Sequence, residues 1–312
     1  MQTKKRQLLI FSSLIAMAMY AASIALSDHQ QITEKLNSFT FLQLILVFGL
    51  SIFNYALRFF RWHIYLGALG YHIPVSRNLM CYLAGFAFTT TPGKAGEAIR
   101  SVYLHQYGVG YKQSLAALIT ERILDVFAVL ILAALLIYWV EDFNWGFYLF
   151  AFLVFALLII LATDPVMDKV RFWLSRHLRL SEKSLVGNLL GMAQHSLDLM
   201  KRRILLGSLL TGIIAWGAEG VAFYYILEFL GAEISLPVAI GIYGASMIAG
   251  AISFIPGGLG SAEAAMGGLL ILAGVSIPVA ITATLVCRIA TLWFAVVIGI
   301  VFMLLLERRT GQ

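Results

Sequence analysis

Two arginines stand inside apolar runs where a membrane span would ordinarily hold no charge: Arg122 and Arg288. Arg288 lies 11 residues into the run 277–306, which at 1.5 Å per residue puts it roughly 17 Å deep, near a bilayer midplane. An arginine there costs at least ~2.5 kcal/mol on insertion scales and needs a partner or water. Candidate partners are Glu219 in the preceding run and Glu263. Arg122 has Glu121 beside it and Asp125 three residues on, and the four-residue spacing of Glu121 and Asp125 places both on one helical face. Such groups suit two kinds of chemistry. Buried ion pairs can lock helices together, or the arginines can bind a phosphate-bearing headgroup while carboxylates hold them or exchange with it. Both can hold at once.

Two Pro-Gly segments sit near these charges. Thr91-Pro92-Gly93-Lys94 leads to Glu97 and Arg100, and Pro256-Gly257-Gly258-Leu259-Gly260 leads to Glu263. Each is followed by a helix start, with Thr91 and Ser261 as expected caps. Helix N-termini present unpaired N–H groups that suit a phosphate, and Gly93, Gly257 and Gly258 would let it approach the backbone. Lys94 adds a full charge.

The elements that position these residues follow from composition. The chain has 312 residues, 61% hydrophobic and only 12% charged, with a mean hydropathy of +0.88. A soluble domain carries roughly a quarter charged residues, so an ordinary soluble or disordered chain is excluded. Apolar runs at 8–26, 41–57, 114–140, 147–163, 204–230 and 277–306 are long enough for six spanning helices. With Lys4, Lys5 and Arg6 inside, 19 of the 22 Lys and Arg residues fall on the cytoplasmic side and only Lys35 outside. This positive-inside pattern puts both termini in the cytoplasm and makes the protein a multi-pass protein of the cell inner membrane. It also accounts for the net charge of +6 without nucleic acid. In this scheme Arg58, Arg61 and His63, with Trp62 and Tyr65, form an interfacial belt at the end of the second span, and secondarily a headgroup entrance. The basic stretch 164–203 lies on the membrane face as short helices.

The two halves repeat. Glu97 precedes Gly108-Val109 by 11 residues and Glu263 precedes Gly274-Val275 by 11, while Arg122 and Arg288 follow those glycines by 14. Gly70 and Pro74-Val75 echo Gly231 and Pro237-Val238. The single transmembrane domain 1–312 then divides into an anchor helix and external loop (1–40), repeat one (41–140), a linking helix with a basic cytoplasmic segment (141–203) and repeat two (204–306). Three spans separate the starts of the repeats, so they are inverted if each Pro-Gly segment is a re-entrant hairpin. The expected fold is an all-α polytopic membrane protein of about six spans plus two re-entrant hairpins, or eight spans if the hairpins cross. Hairpins entering from opposite faces would meet around a polar midplane cavity.

No GxSxG, HExxH or P-loop occurs, Cys81 and Cys287 lie far apart, and His105, His177 and His195 lack metal-ligand spacing. No cofactor or metal is expected.

The segments Pro92-Gly93-Lys94-Ala95-Gly96-Glu97…Arg100, Glu121-Arg122…Asp125 and Pro256-Gly257-Gly258-Leu259-Gly260…Glu263…Arg288 resemble the lysylphosphatidylglycerol synthase transmembrane (flippase-like) family, including its YbhN-like stand-alone members. The resemblance covers about 10–306. It implies a stand-alone translocase for a phosphate-headgroup lipid, either an anionic or aminoacylated phospholipid or a polyprenyl-phosphate carrier. One departure is Lys94 in a place where arginine is expected. The expected substrate-binding residues are Lys94, Arg100, Arg122, Arg288, Gly93, Gly257 and Gly258, with Glu97, Glu121, Asp125, Glu219 and Glu263 as charge or proton-coupling partners. The rival readings are a membrane-embedded lipid transferase with Asp125 or Glu263 as base, and a non-catalytic partner of an envelope-lipid enzyme. Membrane lipids are the expected partners, with a homo-oligomer or such an enzyme as further ones.

Overall fold

A computed structural model describes residues 29–139, 168–169, 172–173 and 185–310. The expected spans at 8–26 and 147–163 and part of the basic stretch (164–167, 170–171 and 174–184) lie outside the described residues. Among those described there are helices and no strands. They are α1 (His29–Asn37), α2 (Phe41–Ala68), α3 (Val75–Gly85), α4 (Ile99–His105), α5 (Tyr111–Ala133), α6 (Leu185–Leu199), α7 (Arg202–Phe229), α8 (Leu236–Ile252), α9 (Ser261–Leu272), α10 (Ile277–Arg288) and α11 (Phe294–Thr310). Three stretches are long and apolar enough to cross a membrane: Phe41–Ala68, Arg202–Phe229 and Ile277–Arg308. Helix α5, at 23 residues, is also long enough, but it carries the charges of Glu121, Arg122 and Asp125.

The first of these stretches corrects the expected belt. Thr40 opens α2 with a capping box to Gln43, and the helix then runs 28 residues, well past the expected end at residue 57. Arg58, Arg61 and Trp62 are therefore inside a helix, and all three are buried. A span of seventeen apolar residues was enough to cross, but two buried guanidiniums extend the apolar-facing helix because their charges are met inside the protein.

The halves match in backbone detail. Helices α2 and α7 both have 28 residues and start 161 positions apart. Both end in the same C-terminal motif: Gly70 N–H to Gly67 O with Tyr71 N–H to Leu66 O, and Gly231 N–H to Glu228 O with Ala232 N–H to Leu227 O. Helices α4 and α9 end likewise at Gly108 and Gly274. All four glycines have φ between 76° and 88°, the left-handed conformation that this cap requires.

Each Pro-Gly segment reverses the chain. After α3 the backbone tightens into 3₁₀ turns at Phe86–Phe88 and Pro92–Ala98 before α4, and Gly85 on α3 lies against Glu97 and Arg100. After α8 a short 3₁₀ turn at Pro256–Gly258 leads into α9, which packs back along α8. At 11, 7 and 12 residues, α3, α4 and α9 reach only about 10–18 Å each, short of the ~30 Å hydrocarbon thickness. The two turns touch: Gly257 packs against the backbone of Thr90.

Helices α2 and α7 run antiparallel along one another. Asn54 Nδ2 donates to Ala215 O at 2.8 Å, Arg58 lies over the Trp216 ring, and Arg61 fills the space that a side chain at Gly212 would take. The halves also exchange partners. The end of α5 packs on α8 where Gly241 and Gly244 meet the backbone at Leu136 and Ala133, and α11 packs on the end of α3 where Gly299 meets the backbone of Phe86 and Ala87. Small residues let helix backbones approach closely where no hydrophobic force drives association. Helix α6 joins the N-terminal end of α5 through Gln113–His195 and Ser196 to Ala116 O.

Gly299→Val should therefore lower unfolding stability in detergent by about 1–3 kcal/mol, the range for overpacking. Gly49→Ala, where nothing lies within 4 Å, should not lower it. Thermal unfolding of both variants beside the wild type checks this, and equal losses would remove the close-approach explanation.

Candidate functional site: a buried charge network beside a cationic cavity

Helix α2 presents Arg58 and Arg61 one turn apart, α5 presents Glu121, Arg122 and Asp125, and the first Pro-Gly segment brings Glu97 and Arg100. They converge on a single network. Arg61 Nη2 reaches Asp125 Oδ1 at 2.5 Å and Glu121 at 3.6 Å. Arg58 reaches Glu121 at 3.4 Å and Asp125 at 3.5 Å. Arg100 bridges Glu97 at 2.8 Å and Glu121 at 3.1 Å. Arg122 lies 2.9 Å from Glu121, 3.3 Å from Asp125 and 3.6 Å from Glu97. The Tyr82 hydroxyl donates to Glu121, and Thr89 Oγ1 donates to Glu97. Arg100 is sandwiched by Trp62 and Tyr82, 4.3 and 4.8 Å from its guanidinium. Four arginines share three carboxylates. A buried pair is worthwhile only when each charge is well met, and here every carboxylate faces at least two guanidiniums.

The second half is held more lightly. Arg288 Nε donates to Glu263 Oε1 at 2.7 Å and its Nη2 donates to Gly257 O at 2.8 Å. Of the two partners offered by the sequence, the ion pair is with Glu263. Glu219 instead accepts a short hydrogen bond from the Tyr243 hydroxyl. The expected cap at the second turn shifts by one residue. Gly260 is the N-cap, its N–H goes to Glu263 Oε2 at 2.7 Å, and Ser261 bonds Ser253 and Gly258 O. Glu263 thus occupies the helix N-terminus that an incoming phosphate would need. At the first turn, Thr91 Oγ1 accepts from Gly96 N–H rather than from the first residues of the turn. Immediately after Arg288 the helix widens into a π turn at Ile289–Trp293, and the Thr291 carbonyl accepts the Tyr55 hydroxyl at 2.6 Å. π turns are rare and often mark functional sites.

Between the halves lies a cavity of about 40 Å³ whose polar lining includes Arg58, Lys94, Arg288, Glu219, Tyr55 and Trp216. Lys94 adopts a left-handed φ of 55°, which turns its Nζ over the Trp216 ring at 5.1 Å. Lys94, Glu219 and Arg288 thus line the cavity. Arg100, Arg122, Glu97, Glu121 and Asp125 stand behind it in the network, and Gly93, Gly257 and Gly258 lie on the two turns. Arg58 belongs to both. Tyr55, Tyr82, Trp216 and Tyr243 escaped the sequence reading, and Arg58 and Arg61 were placed at the interface, not in the site. The stripe Ser51, Asn54, Arg58, Arg61, Tyr65 at helical spacing was the signal for the two arginines. Among the described residues no group of three or more His, Cys, Asp or Glu side chains is placed to hold a metal.

Residues 9–299 match the family described as the lysylphosphatidylglycerol synthase TM region. The chain belongs to this family. A UPF0104 membrane protein of Pyrococcus horikoshii is 25% identical over 82% of this chain and 83% of its own length. Another, of Methanothermobacter thermautotrophicus, is 25% identical over 95% and 94%. This synthase-TM-region protein is thus a multi-pass integral membrane protein, and its family points to a lipid-related membrane role.

In this family member the charge network predicts a stability effect. Asp125→Asn leaves three guanidiniums short of a carboxylate and should cost about 3–5 kcal/mol, as breaking a buried pair does. Glu34→Gln, at an exposed site, should stay within about 0.5 kcal/mol. Denaturation in mild detergent compares them, and an Asp125→Asn loss no larger than that of Glu34→Gln would remove the network from the stability account.

Proposed function

We propose that this protein is an integral-membrane translocase for a lipid carrying a phosphate in its headgroup. The two Pro-Gly turns act as tips of re-entrant hairpins in inverted repeats, entering from opposite faces and meeting at the midplane. The headgroup passes through the cavity between them while the acyl or prenyl tails stay in the bilayer.

The observation that carries this reading is the charge balance around the cavity. Six cations (Arg58, Arg61, Lys94, Arg100, Arg122, Arg288) face five carboxylates (Glu97, Glu121, Asp125, Glu219, Glu263). Cations at membrane depth are expensive unless they are met, and the oxygens of a phosphodiester suit the guanidiniums and ammonium on the cavity wall. The antiparallel α2–α7 pair and the exchanged packing of α5 on α8 and α11 on α3 are what inverted repeats would produce. Ile252 and Phe254, 70% and 75% exposed beside the second turn, suit a tip in hydrocarbon. Both termini face the cytoplasm in this scheme, and the protein resides in the inner membrane. Rocking of one half against the other gives alternating access. Glu97, Glu219 and Glu263 are the carboxylates available for coupling to protons.

At about 40 Å³ the cavity holds roughly three waters at ~10–15 Å³ each. It is sized for a phosphate group and not for a whole headgroup, as an occluded state would be.

Purified protein in liposomes should speed exchange of labelled anionic phospholipid or polyprenyl phosphate between leaflets. Arg288→Ala should reduce that rate at least tenfold, and Arg122→Ala should reduce it too, with folding checked by the unfolding midpoint. If no phosphate lipid moves faster than in empty liposomes, the translocase reading fails.

A further inference from the structure

Glu219 differs from the other carboxylates of the cluster. Glu97, Glu121, Asp125 and Glu263 each have an arginine within 2.5–3.6 Å. Glu219 is 4% exposed, its hydrogen bond comes from the neutral Tyr243 hydroxyl, and it shares the cavity wall with three cations. Two donors on that wall, Trp216 Nε1 and Arg58 Nε, have no hydrogen-bond partner among the described residues, although both residues are at most 6% exposed. Buried donors left unpaired are costly, each ~1–3 kcal/mol. They mark the cavity as built for an acceptor.

We propose that the cavity bounded by Arg58, Lys94, Arg288 and Trp216 binds one phosphodiester group, and that Glu219 takes up one proton as the anion enters. This deepens the translocase reading and rests on it for the source of the anion.

The reason is electrostatic. With Glu219 ionised, the cavity wall holds three cations and one anion, and the Glu219 carboxylate stands in the space beside them without an arginine partner. A phosphodiester brings one further negative charge into the same small space. Two anions a few ångströms apart in low dielectric repel strongly, whereas a neutral carboxyl beside a bound phosphate becomes a hydrogen-bond donor. The other groups facing Glu219 do not take this part. Arg58 and Arg288 stay charged, Lys94 gains by staying charged beside the anion, and Tyr55, Tyr243 and Cys287 are neutral when protonated. Proton and lipid anion would therefore travel together, and a proton gradient would drive the lipid.

Calorimetric titration of the full chain in lipid nanodiscs tests both parts. The probes are glycerophosphoglycerol and dihexanoyl phosphatidylglycerol, since a phosphodiester lacks the second ionisation near pH ~6 of a monoester. Titrating in two buffers of different ionisation enthalpy reads the protons taken up. The wild type should take up about one proton per phosphate, and its affinity should fall about tenfold per pH unit where that uptake operates. Glu219→Gln should bind with no uptake and a flat pH profile. Tyr243→Phe should keep the one-proton slope while moving the pH at which it begins. Arg58→Gln and Trp216→Phe should weaken binding, the first by at least tenfold. Tighter binding of the lipid than of the headgroup alone assigns the anion to a lipid, and equal binding assigns it to a soluble phosphodiester. Binding of neither probe by folded protein overturns the site. Binding without proton uptake overturns the role of Glu219 and leaves the translocase reading standing. Binding with uptake, but no exchange in liposomes, overturns translocation alone.

Discussion

The structure depends on the meeting of Arg61 with Asp125. Both side chains are buried within helices that cross or line the membrane domain, and neither charge is tolerable there without the other. That one contact fixes the rotation of α2 against α5. The same rotation brings Arg58 to Glu121, and Glu121 in turn reaches Arg100 on the first hairpin. The first Pro-Gly segment is held in place electrostatically, because Arg100 and Glu97 must lie where Glu121 and Arg122 stand. Gly212 then allows α7 to approach Arg61 closely enough to close the bundle.

Matched positions show how one backbone plan has been put to two uses. Glu97 and Arg122 correspond to Glu263 and Arg288, 166 residues on, so each half keeps one arginine–glutamate pair between its turn and its following helix. Around that shared pair the halves diverge. Glu121 and Asp125 have Cys287 and Thr291 in their places, and Arg100 has Met266. Arg58, at the 161-residue offset of α2 and α7, corresponds to Glu219. The first half therefore holds its hairpin with a seven-membered network, and the second holds its own with Arg288 bonded to Glu263 and to the Gly257 carbonyl. Gly257, Gly258 and Gly260 all have positive φ at that turn. A tip that is lightly held and rich in glycine can move at smaller cost than one clamped by four arginines. Motion is thus expected to concentrate in the second half.

Much of this was legible in the residues, for a definable reason. Arg122, Arg288, Glu97 and Glu263 violate a strong local rule, and their matched spacing shows up without any knowledge of packing. The capping glycines Gly70, Gly108, Gly231 and Gly274 were visible for the same reason. Arg58 and Arg61 were not, because a count of seventeen apolar residues already satisfies a span. The sequence cannot tell a charge at the end of a helix from one whose partner waits 64 residues away in Asp125. Partner choice was equally hidden. Glu219 and Glu263 were both plausible for Arg288, and only the turn at Gly257–Gly260 decides between them, by carrying Glu263 to the arginine and leaving Glu219 to Tyr243.

That choice matters for how such a protein can work. A carboxylate tied to an arginine contributes structure, and Glu263 also closes the N-terminus of α9 through Gly260 N–H. A carboxyl held by a neutral hydroxyl has both protonation states open to it, and an adjacent anion decides between them. The cavity has cations enough for one phosphate, and a rigid permanent counter-anion would make that phosphate unwelcome. A counter-anion that can be neutralised removes the conflict: under the proposal the cluster carries the same net charge loaded as empty. In a low-dielectric site, where each change of charge is costly, keeping that charge unchanged is what would allow the loaded and empty forms to lie close enough in free energy to interconvert.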